Sequence, residues 1–128
     1  MSSRGSFAIN GHVSVKEYET IRVTENGVKI LKGIGKNHTL PDYSNSPNSI
    51  YAKLHKSGDL QELRFYDENC NLYFEIGYHR ESNLANEKNV LHYHTIKNLD
   101  RSKAFPMTNN IKEKFKKYLK EFNLYDKC

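Results

Sequence analysis

His92 and His94, flanking Tyr93, are the side chains in this sequence whose type and spacing most directly suggest chemistry. Side chains on a β-strand alternate between faces, so residues two apart stand side by side. Two imidazoles so placed, with His79 and the Arg64 guanidinium nearby, supply a general base, a general acid and an anion stabiliser. That set suffices for attack of a ribose 2′-hydroxyl on the adjacent phosphate without a metal. The same spacing chelates Zn²⁺ or another divalent ion if His79 or Glu75 adds a third ligand. No Cys or acidic cluster completes such a set, so a metal is the minor alternative and no cofactor is required. Tyrosines among basic residues offer a third chemistry, a stacking platform for single-stranded bases. A His-x-His on an exposed strand is also commonly two unrelated surface histidines, and His12, His38 and His55 are taken as surface or loop residues.

These side chains need a sheet to hold them. Residues 50–54, 60–66 and 72–78 alternate apolar and polar, separated by turn-forming stretches around Gly58 and Asp67-Glu68-Asn69, and after a polar connection over 80–89, residues 90–96 are a fourth candidate strand. The pattern predicts an antiparallel meander. Ile50, Ala52, Leu54, Leu63, Phe65, Leu72, Phe74 and Ile76 form its core face. The opposite, solvent-exposed face gathers Tyr51, Lys53, His55, Glu62, Arg64, Tyr66, Tyr73, Glu75, His79, His92 and His94. A C-terminal helix, with Asn110 as cap and Glu113 three residues on, carries Ile111, Phe115, Tyr118, Leu119 and Phe122 at helical spacing to cover the core face. The expected fold class is α+β, one domain over residues 1–128. Residues 1–11 are Ser/Gly-rich and expected to be loose, and 33–49, with Pro41 and Pro47, is expected to be a long loop. Between them, Ser14 and Glu17 form a potential capping box, but β-branched residues and the Asn26-Gly27 turn favour strands over 20–31.

With 128 residues the chain is long enough for one core. It carries a net charge of +5, and eight basic against two acidic residues between Lys97 and Lys120 concentrate +6 there, leaving the remainder near neutral. A basic helix back is commonly just a solvated face. Lys97, Arg101 and Lys103, next to the His-x-His strand, are the better candidates for phosphate contact. No run reaches the ~18 apolar residues of a membrane span and the N-terminus lacks a signal-peptide pattern. Two cysteines, Cys70 and Cys128, build no disulfide framework. A reducing, cytoplasmic setting in a producing or target cell, away from membranes, is therefore expected.

The order Pro47-Asn48-Ser49-Ile50-Tyr51, Gly58, Arg64-Phe65-Tyr66-Asp67-Glu68-Asn69, His79 and His92-x-His94 resembles small C-terminal domains of Gram-positive polymorphic toxins and prophage head-morphogenesis proteins. Those domains read Pro-Asn-Ser, a Gly turn, Tyr-Asp-Glu-Asn-Gly, one or two His and a closing His-x-His. The resemblance covers residues 47–94. Cys70 stands at the turn Gly, Leu91 at a Pro, and Thr95 where an acid is often found. It carries over His79, His92 and His94, and implies a toxin-like or phage-associated role, with nucleic acid as substrate and an immunity, phage or host protein as partner.

The resulting expectation is a metal-independent ribonuclease on an exposed sheet face. His92 and His94 would be acid and base in either order, with His79 as third member and Arg64 stabilising phosphate. Tyr51, Tyr66, Lys53, Glu75, Lys97, Arg101 and Lys103 would contact substrate. The alternative is a non-catalytic phage accessory protein that binds a protein or nucleic acid through the same Tyr- and His-rich face.

Overall fold

The computed structural model describes residues 4–9, 12–33, 39–81 and 84–127, with 4–9, 12–17 and 85–87 described by backbone alone. The meander is present and longer than expected. Strands β1 (Arg4–Ile9), β2 (His12–Val23), β3 (Lys29–Gly33), β4 (Ile50–Leu54), β5 (Leu60–Tyr66), β6 (Leu72–Glu81), β7 (Ala85–Lys97) and β8 (Asp100–Arg101) form one sheet in chain order, and β9 (Phe105–Pro106) also pairs with β7. All neighbours are antiparallel except β3 and β4, which run parallel through Lys29–Tyr51 and Ile30–Ala52. A long connection makes that crossover possible. Among the described residues no helix is long and apolar enough to cross a membrane.

Two local expectations change, and the strands favoured over 20–31 form as β2 and β3. Arg4–Ile9, expected to be loose, is strand β1, paired with β2 from Arg4–Glu19 to Ile9–His12; ladder hydrogen bonds use backbone groups and do not require apolar composition. The capping box at Ser14 and Glu17 lies inside β2 and starts no helix. The polar stretch after residue 79 is not a loop throughout, because β6 and β7 continue as a long hairpin to the Glu81–Ala85 pair. The Asn26-Gly27 turn forms as expected, with Gly27 at φ +84°, where a side chain would be strained. Glu121 holds this turn from the helix, accepting from Thr24 Oγ1 at 2.7 Å and Asn26 Nδ2 at 2.9 Å.

The C-terminal helix is two short pieces, α1 (Asn109–Lys114) and α2 (Lys116–Glu121), joined at Phe115. Thr108, not Asn110, caps it, accepting from Ile111 N, and Glu113 instead accepts from the Tyr125 hydroxyl. Its apolar stripe covers the expected core face, where Ala52, Leu63, Phe65, Phe74, Ile76, Leu91, Phe115 and Leu119 are buried together. Phe74 and Phe115 stack with ring centroids 4.9 Å apart.

The opposite face is the main correction. It is not exposed: Tyr18, Leu31, Leu40, Tyr51, Tyr66, Leu72 and Ile96 form a second buried cluster there. Leu72, expected in the first core, belongs to this second one, because a bulge after Phe65 sets it opposite Tyr66 and leaves Tyr73 exposed. Segment 39–49 covers the face through tyrosine hydroxyls: Tyr18 donates to Thr39 O at 2.7 Å, Tyr66 to Pro41 O, and Tyr51 to Asn45 Oδ1 at 2.9 Å. Burial raises the Tyr51 pKa and pushes that of Tyr66 well up, so both stay neutral donors.

Candidate functional site

Strands β6 and β7 pair Glu75 with His94, Gly77 with His92 and His79 with Val90. The two-residue period therefore brings Glu75, Gly77, His79 and Glu81 of β6 to the same face as His92 and His94 of β7. His92 turns over Gly77. A Cβ at Gly77 would fall 2.8 Å from His92 Nε2 and 3.0 Å from His79 Nε2. Only a glycine leaves that cradle open, a common meaning of Gly inside a strand. The imidazoles sit edge to face, His79 to His92 at 4.6 Å between centroids and His92 to His94 at 5.2 Å.

All three rings are oriented by backbone carbonyls. His92 Nδ1 donates to Val90 O at 2.9 Å, His94 Nδ1 to Ser102 O at 2.8 Å and His79 Nδ1 to Arg80 O at 2.9 Å. A carbonyl oxygen only accepts, so Nδ1 carries a proton, and the neutral form of each ring presents its lone pair at Nε2. His92 Nε2 and His94 Nε2 are buried and have no hydrogen-bond partner among the described residues. Such an orphaned polar atom costs about 1–3 kcal/mol, which asks for a ligand that the fold itself does not supply. Burial, followed by the nearby His79 and His94, lowers the pKa of His92 and favours its neutral form.

Glu81, half-buried, completes a cluster. One ligand atom from each of Glu81, His92 and His94 lies within 4.8 Å of the others. Ligand atoms about a tetrahedral ion with bonds of about 2.0–2.2 Å lie roughly 3.3–3.6 Å apart, so the three side chains would have to close slightly around one. Two neutral imidazoles and a carboxylate are a common transition-metal set, and Nδ1–H bonded to a carbonyl is how proteins orient such imidazoles. The donor atoms, the open cradle at Gly77 and the orphaned Nε2 atoms thus fit a divalent ion.

The other expected site residues have other duties. Glu75 is fully buried and accepts from Arg64 Nε at 2.9 Å and from Arg101 Nη2. Arg64 also donates to Leu40 O at 2.8 Å. Burial works against the Arg64 charge, but Glu75 and Glu62 raise its pKa overall. Burial, then the neighbouring Glu75, raises the Glu62 pKa. Each buried ion costs several kcal/mol unless paired, so these bonds are structural and commit Arg64 to Glu75 and the loop. Glu75, considered above as a third ligand, has both carboxylate oxygens engaged by arginines, whereas a Glu81 oxygen lies within reach of both imidazoles. Lys53 is half-buried opposite Glu62. Lys97 and Lys103 are exposed, Lys103 lying 5.6 Å over the Phe105 ring.

The structure therefore brings together His79, His92 and His94 and leaves Arg64, Tyr51 and Tyr66 holding the loop. Sequence reasoning missed Gly77 and Glu81. Both share the parity of His79: Gly77 already lies within the expected strand 72–78, and carrying the alternation past residue 78 would have found Glu81. No family model, curated protein or solved structure matches the chain, so the resemblance of residues 47–94 to toxin and prophage domains stands on its motif alone.

Proposed function

We propose that the chain is a metal-dependent hydrolytic domain in which His92, His94 and Glu81 hold one divalent transition-metal ion, with His79 beside them. The pair of buried Nε2 atoms with no partner among the described residues carries this reading. Metal-free acid–base catalysis requires both imidazoles to reach the substrate's proton-bearing atoms. His92 is 0% exposed and His94 5%. An ion reaches atoms at that depth far more readily than a nucleotide does. Three protein ligands leave a coordination position open, the arrangement of catalytic rather than structural zinc sites. An ion held there would polarise a substrate oxygen and lower the pKa of bound water to about 7. His92, His94 and Glu81 would fix it, and the carbonyls of Val90 and Ser102 would hold the rings. The exposed Lys97 and Lys103 beside the His-x-His strand favour an anionic substrate, and the motif resemblance makes RNA the first to test.

The experiment is metal titration of the purified chain with Zn²⁺ and Mn²⁺, followed by RNA and DNA hydrolysis with and without EDTA. One ion per chain is expected, lost in His92→Ala and His94→Ala, with hydrolysis abolished by EDTA and restored by metal. Hydrolysis that survives EDTA would return the reading to metal-free His catalysis. An absence of stoichiometric binding would remove the metal centre altogether.

A further inference from the structure

Resting on the metal reading, we propose that Arg101 is a positioning residue for the centre, holding the carbonyl and the cover that fix the His94 ring. His94 is aimed by Ser102 O, which belongs to the segment just after β8. That strand is only two exposed residues, Asp100–Arg101, paired with Ile96 and Lys97. The turn feeding it places Asn98 at φ 53° and Leu99 at φ 67°, a left-handed pair that β-hairpins usually assign to Asn-Gly. Two residue pairs and a strained turn make a weak hairpin by themselves. Ser102 adds two bonds to Thr95, accepting from its N at 2.9 Å and donating its own N–H to Thr95 O at 2.8 Å.

Phe105 and Pro106 of β9 also pair with β7, and a further tie reaches the interior. Arg101 stands opposite Ile96 on β7, and its guanidinium ends on Glu75, the β6 partner of His94. The side chain therefore crosses β7 beside His94, from the sheet edge to a fully buried carboxylate. It is 44% exposed at its outer side, whereas Glu75 is 0% exposed. Glu75 in turn is held by Arg64, which grips the covering loop at Leu40 O. One carboxylate thus joins the loop on one side and the hairpin on the other, and His94 lies beneath the hairpin's arm. Outer groups that fix a ligand ring typically change metal affinity by about 10–100-fold when removed.

The test compares wild type, Arg101→Met and Arg101→Lys by ¹⁵N imidazole NMR of the metal-free chain, then by Co²⁺ titration followed through the visible absorption of the bound ion. In wild type His94 is expected as the single Nδ1–H tautomer. Arg101→Met is expected to mix both tautomers at His94 alone, to weaken Co²⁺ binding about 10–100-fold, and to keep a dispersed amide spectrum. Arg101→Lys, which keeps a cation on Glu75, is expected to restore the tautomer and to bring affinity to within a few-fold of wild type. An unchanged His94 tautomer with wild-type affinity in Arg101→Met would overturn the proposal. Failure of the Lys variant to rescue a folded, weakened Met variant would overturn it as well. If wild type binds no Co²⁺, the metal reading fails, while the tautomer of the metal-free chain still decides whether Arg101 positions His94.

Discussion

The two faces of this sheet are buried by different physics. Under the helices, Phe65, Phe74, Ile76, Phe115 and Leu119 exclude water by apolar contact, with little polar chemistry inside. On the opposite face the sheet buries Glu62, Arg64, Glu75, His92 and His94, alongside tyrosines whose hydroxyls bind segment 39–49. An apolar face gains stability in proportion to the area buried. A polar face yields net stability only when each charge and donor is matched, so its satisfied groups are architecture and its unmatched ones stand out. Arg64, Glu75, Tyr51 and Tyr66 are matched, whereas the Nε2 atoms of His92 and His94 find no partner among the described residues.

The contrast can be broken at several points. Glu75→Ala leaves Arg64 buried with its main partner gone and should cost about 3–5 kcal/mol, read from urea denaturation. A loss under about 1 kcal/mol would show that the loop-covered face does not depend on its ion network. On the other face Leu119→Ala should cost about 2–5 kcal/mol by opening a cavity, yet leave Co²⁺ affinity of the folded protein unchanged. A parallel loss of affinity would mean that the faces are not independent. Gly77→Ala places a methyl in the cradle and should cost about 1–3 kcal/mol while reducing metal binding at least tenfold. Wild-type metal affinity in that variant would move the centre away from Gly77.

A smaller effect concerns pH. His92 has its pKa lowered from the ordinary 6.5 by burial and its imidazole neighbours. Between the lowered value and 6.5 the unfolded chain binds more protons than the folded one, so metal-free stability falls as pH drops through that window. Urea midpoints across the window should fall more steeply for wild type than for His92→Gln, and matching slopes would clear His92 of that role. The smallest change is Leu99→Gly, which relieves a left-handed leucine in an exposed turn and should add roughly 0.5–1 kcal/mol. A lowered melting temperature would contradict the strain assigned to that turn.

Much of the site was legible because strand alternation is local. Parity alone places His79, His92 and His94 on one face, and the register of β6 with β7 agrees. The helix stripe through Phe115 and Leu119 was legible for the same reason, although its cap moved to Thr108, whose hydroxyl competes with nearby polar side chains for the same orphan N–H groups. The face taken as exposed was misjudged because polar composition does not reveal what covers a surface. Arg64 meets Leu40 O across 24 residues of chain, and no local pattern reports that contact.

The sequence by itself determined which residues alternate, and therefore that an α+β meander presents three histidines together. Only the tertiary structure decided that the histidines are buried, that carbonyls of Val90 and Ser102 turn both Nε2 atoms inward, and that Glu81 joins them while arginines occupy Glu75. Periodicity follows from backbone geometry within one strand. Burial, tautomer and pairing arise from groups distant in the chain meeting under one loop and one hairpin.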